Sequence, residues 1–97
     1  MAVYQRNDVT NPAWVLEQLE GMLPDDSWVG AATTRAVTML RLHKLEQIDN
    51  QALAFNLSNI RKVTQDHPLY EDSLRKNRLD EFLNPLIDKL KESNNAN

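Results

Sequence analysis

Two histidines, His43 and His67, are the side chains of this 97-residue chain best suited by type to move a proton near neutral pH or to ligate a metal. His43 has Glu46 and Gln47 within one helical turn, and His67 has Glu71 at i+4. A site of two histidines and a carboxylate, built from two helices, is the chemistry these residues suggest. The spacing does not carry it further. The two stand 24 positions apart, and the repeated Glu-x-x-His of di-metal bundles is missing: the order is His43-x-x-Glu46, and it occurs once. A phosphotransfer histidine needs an exposed ring, whereas His43 shares a helical stripe with Ala36 and Leu40. The reading is therefore of no metal site and no catalytic residue. His43 is expected to be partly buried with its hydrogen bonds met, and His67 to start a helix ahead of Pro68.

Other chemistries lack their scaffolds. With no cysteine there is no thiolate nucleophile, no thiolate metal site and no disulfide framework, and a reducing cytoplasm is the expected setting. Gly21 and Gly30 each stand without a second glycine in reach, so no phosphate-cradling loop can be drawn, and four serines offer no Gly-x-Ser-x-Gly elbow. Glu17, Glu20, Asp25 and Asp26 fall on a helix end and a turn, where carboxylates cap and solvate. The expectation is a non-enzymatic protein without a cofactor.

The elements that would position these groups are helices. A hydrophobic fraction of 41% with 26% charged residues is close to the globular range, and a mean hydropathy of -0.57 with 6% aromatic residues indicates a modest core. Residues 1–10 read as a flexible segment without the features of a signal sequence, 11–92 as a single helical domain, and 93–97 as a disordered tail. Asn11 is a good N-cap with Pro12 at the first helical position, and Val15, Leu16, Leu19 and Met22 share a face. Asp26 or Ser27 caps a second helix to about Gln47, with Val29, Ala32, Ala36, Leu40 and His43 on one side and Val37, Met39, Leu42, Leu45 and Ile48 elsewhere. That breadth makes it the expected central helix, with the last helix across it.

Asn50 is the expected cap of a third helix whose buried stripe is Leu53, Leu57, Ile60 and either Val63 or Thr64. Pro68 opens a fourth through about Leu83. The stripe Leu79, Phe82, Leu83, Leu86, Ile87 and Leu90 then crosses Pro85, so either one helix kinks there or Asn84 caps a fifth. The fold class is all-α, a compact four- or five-helix bundle. The longest run without a charge, Asn50 to Ile60, is eleven residues, short of the roughly 18 that a membrane span needs.

Charge is segregated along the chain. The net charge is -3, yet residues 1–26 hold one arginine against five acids, residues 27–62 hold five basic residues against two acids, and residues 63–97 hold five against seven. The basic centre consists of Arg35, Arg41, Lys44, Arg61 and Lys62, on two helices joined by a short turn, which is the outline of a DNA- or RNA-binding helix pair. Against that stand a pI near 5.2 and the apolar Ala52-Leu53-Ala54-Phe55 where base-reading side chains belong. The Arg75-Lys76-Asn77-Arg78 run is interleaved with Glu71, Asp72, Asp80 and Glu81 and reads as locally neutralised, with i,i+4 pairs Glu71–Arg75 and Asp72–Lys76.

The aromatics point to partners. Trp14, Trp28 and Tyr70, with Tyr4, fall at or near element starts, where large rings either staple a loop or anchor a partner. The wide C-terminal stripe with Phe82, Leu86 and Leu90 exceeds what a small bundle is expected to cover, and homodimerisation through the C-terminal helices would bury it. The sequence thus leads to a small interaction or regulatory protein working through protein–protein contacts, with Trp14, Trp28, Tyr70, Phe82, Leu86 and Leu90 as partner-binding residues. The alternative is a nucleic-acid-binding regulator using the five central cations.

Overall fold

The computed structural model describes residues 9–24, 27–69 and 79–95, and within them the chain forms four helices and no strand: α1 (Pro12–Gly21), α2 (Trp28–Lys44), α3 (Asn50–Gln65) and α4 (Leu79–Asn95). The starts of α1, α2 and α3 follow from a short polar side chain in extended geometry that accepts from a free backbone N–H group. Asn11 Oδ1 accepts from Ala13 N at 2.9 Å ahead of Pro12, and Ser27 Oγ accepts from Gly30 N at 3.4 Å. For α3 the cap is Asp49, not Asn50: Asp49 Oδ1 accepts from Ala52 N at 2.8 Å, and Asn50 is already helical.

The end of α2 turns the chain. Glu46 adopts φ 60, the Glu46 N–H donates to the His43 carbonyl at 3.0 Å, and the Gln47 N–H donates to the Leu42 carbonyl at 2.9 Å. This is the paired closure of a Schellman turn with glutamate in the left-handed position that glycine usually fills. It lays α3 back along α2, so that the start of α2 at Trp28 meets the end of α3 at Thr64 and His67.

The helices close in a ring, α1 on α2, α2 on α3, α3 on α4 and α4 back on α1. α2 is thus not the hub: α4 packs mainly on α3 and α1, and Lys44 at the end of α2 and Leu45 just past it lie exposed. Val15, Leu19, Leu40, Leu53, Leu57, Leu79, Leu83 and Ile87 form the floor of one core. Thr33 and Thr64 enter it because their hydroxyls donate to the carbonyls of Val29 (2.8 Å) and Ile60 (2.7 Å), leaving no polar atom unmet.

α4 is one helix through Pro85, so Asn84 does not cap a fifth; its Oδ1 instead accepts from Arg61 Nη1 at 3.1 Å. Proline inside a helix costs about 3 kcal/mol, and burying Leu86, Ile87 and Leu90 beyond it, at roughly 1.5–3 kcal/mol each, outweighs that. The helix continues to Asn95, past the expected boundary at 92, since extending a formed helix adds a hydrogen bond per residue ordered. A helix opening at Pro68 and the Glu71–Arg75 and Asp72–Lys76 pairs lie largely outside the described residues; Pro68 and Leu69 themselves are in a turn. Among the described residues, no helix is long and apolar enough to cross a membrane.

Candidate interaction surface

The structure separates the two histidines. His43 sits in the last turn of α2, where its Nε2 donates to Asn50 Oδ1 at 2.7 Å and ties the end of α2 to the start of α3. His67 lies just past α3, stacked on Trp28 at the opposite end of α2 with ring centroids 3.9 Å apart and planes at 12°. Its Nδ1 accepts from the Leu69 N–H at 3.1 Å, and the helix expected to start after it falls largely outside the described residues. Among the described residues no group of three or more histidines and carboxylates is placed to share a metal ion.

The aromatics act as staples within the chain. Trp14 meets Phe82 at 5.8 Å between centroids and joins α1 to α4, while Trp28 joins the start of α2 to the end of α3 through His67. Leu86 (0% exposed) and Leu90 (4%) are in the core, and Phe82 packs against it, so the C-terminal stripe faces inward. Their burial removes Leu86 and Leu90 as partner contacts in this conformation. Tyr70 is outside the described residues.

The five central cations do not make one face. Arg41 reaches across to α1, where its Nη2 and Nε bond to Glu20 Oε2 at 2.7 and 3.1 Å. Arg61 is partly buried against Asn84 of α4, and Lys62 approaches Asp66 loosely at 3.9 Å. Lys44 lies near the start of α1 and lines a cleft of about 290 Å³ with His43 and Leu40. Arg35 alone faces the groove between α2 and α3, and among the described residues it makes no hydrogen bond or ion pair.

That groove is the feature left out of the single-helix reading. Two adjoining pockets, of about 300 and 190 Å³, share Arg35, Ile60 and Val63 and run from Trp28 and His67 at one end to Met39 and Asn56 at the other. Val63 (60% exposed) borders it, and Phe55 (66% exposed) continues the same α3 row two turns earlier, since 55, 59 and 63 follow one another at i+4. Neither α2 nor α3 contains an Asp or Glu, and all 14 carboxylates of the chain fall outside them. In an otherwise acidic protein these two helices therefore carry no acidic residue of their own, and α3 carries exposed Phe55 and Val63. The available signal was the acid-free composition of both segments together with Phe55 lying off the Leu53–Leu57–Ile60 stripe. The chain matches no protein-family model, no curated protein and no solved structure, so the geometry is the ground for a functional reading.

Proposed function

We propose that this chain is a non-enzymatic helical interaction protein whose partner is another protein, docked on the outer flank of α2 and α3. The observation that carries the reading is the pairing of exposed Phe55 and Val63 with a groove whose two walls hold no carboxylate. Apolar side chains held open beside a shaped groove gain most by excluding water against a second surface. A nucleic-acid reading has the same acid-free helices in its favour. It is weighed down by Arg41 and Arg61, which turn to Glu20 and Asn84, leaving few cations along this flank for the several phosphate contacts such binding uses.

A photo-crosslinking amino acid in place of Asn59, in the groove, and in place of Asp88, exposed on α4, tests the reading in native cells. A protein adduct from position 59 that is absent from position 88 and abolished by Val63→Glu is the expected result. Adducts to nucleic acid, or equal labelling at both positions, would overturn it.

A further inference from the structure

We propose that the groove between α2 and α3 receives an acidic amphipathic helix from the partner protein; this rests on the reading that a protein docks on this flank. The groove spans Trp28 to Met39 on α2, which at 1.5 Å per residue is about 16 Å, the length of three helical turns. Its floor is apolar, from Ala32, Met39, Ile60 and Val63, and its edges are the uncharged Thr38, Asn56 and Asn59. A floor of that shape between two antiparallel helices takes a third helix, inserting apolar residues spaced i, i+3 or i+4, and i+7. The described residues contain no sheet edge that an extended strand could join.

Charge decides what flanks those apolar residues. Arg35 stands in the groove wall, no Asp or Glu occurs on either helix, and Lys62, outside the groove lining, already approaches Asp66 at 3.9 Å. An incoming glutamate or aspartate can pair with Arg35, which has no partner among the described residues, whereas an incoming lysine or arginine meets a like charge there. The same argument disfavours a second copy paired symmetrically through this flank, because a two-fold axis brings Arg35 against an identical pair of helices that supply no carboxylate. One cation beside an apolar floor also suits a peptide better than a polyphosphate backbone.

Panning a phage-displayed library of random peptides long enough for about three helical turns against the full chain tests the chemistry without assuming a partner sequence. Recovered peptides should carry apolar residues at i and i+4 with an excess of Asp and Glu. A synthesised representative, followed by fluorescence anisotropy, should bind about 10-fold more weakly to Arg35→Glu and to Val63→Glu, and equally to Lys89→Glu on exposed α4. Circular dichroism of the variants should match the parent, since all three positions are exposed. Recovery of basic or uncharged peptides that are still lost on Val63→Glu would overturn the acidic helix and leave the docking flank standing. Peptides indifferent to both groove variants, no enrichment at all, or dimerisation of the chain abolished by Val63→Glu would overturn the proposal. An oligonucleotide that competes with the peptide, with steep salt dependence, would overturn it as well.

Discussion

α3 presents two faces that follow opposite rules. Toward the core, Leu53, Ala54 and Leu57 are closed off from water, and the polar groups at the edge facing α4 are paired across the interface, Arg61 with Asn84 and Gln65 Nε2 with Asp80 Oδ2 at 3.2 Å. On its other side, Phe55 and Val63 stand in solvent beside Arg35, which has no partner among the described residues, and the amides of Asn56 and Asn59. A helix that stabilised only its own bundle would place polar residues on that second side. The inner face serves the fold, and the outer face is the one with capacity left over.

The largest effect that could break this contrast is a truncation on each side. Leu57→Ala, at a fully buried position, should lower the unfolding free energy by about 2–5 kcal/mol, the transfer loss plus the cavity left behind. Phe55→Ala removes the larger side chain and should change stability by no more than about 0.5 kcal/mol. Urea denaturation followed by helical circular dichroism measures both. A Phe55→Ala loss as large as that of Leu57→Ala would mean that the outer face also belongs to the core.

A mid-sized effect concerns how both faces are held. Asp49→Ala removes the acceptor for the Ala52 N–H and should cost about 1 kcal/mol by the same denaturation, whereas Asn50→Ala leaves the cap intact. The two residues are adjacent and both are good caps, which is why composition alone pointed to Asn50. Only the extended backbone of Asp49 decides between them. Helix type and the inward stripes were legible in this way, because the 3.6-residue period and the Asn11–Pro12 start are local signals. Three-dimensional packing decided the rest. The third helix offered Val63 or Thr64 to the core, and Thr64 took the place because its hydroxyl closes on the Ile60 carbonyl, which turned Val63 outward. The apolar excess was expected on the C-terminal stripe, yet α1 and α3 cover it, and the excess lies on α3 in a groove that exists only once α2 lies alongside.

The α2–α3 connection sets that groove, and Glu46 is its strained point. A non-glycine residue in the left-handed region carries a penalty of about 1–2 kcal/mol. Glu46→Gly relieves it and gives back part of the gain as added freedom of the unfolded chain, so a net stabilisation of about 0.5–1 kcal/mol is expected, read as a higher denaturation midpoint. Binding in the groove should be unchanged, because the turn geometry is kept. A destabilised variant would show that the Glu46 side chain makes contributions beyond its backbone.

The smallest effect separates the engaged cation from the open one. Arg41 holds Glu20 through two bonds to one oxygen, both side chains being largely in solvent at 60% and 41% exposure. Exposed pairs contribute about 0.2–1 kcal/mol, and at 1 M salt the Debye length shrinks to about 3 Å. Arg41→Ala should therefore lower stability slightly at low salt, with the difference fading at high salt. Arg35→Ala should leave stability flat at both, having no partner among the described residues to lose. If Arg35→Ala instead destabilised the chain in a salt-dependent way, Arg35 would be tied within the fold, and the groove would lose the cation that selects an acidic helix.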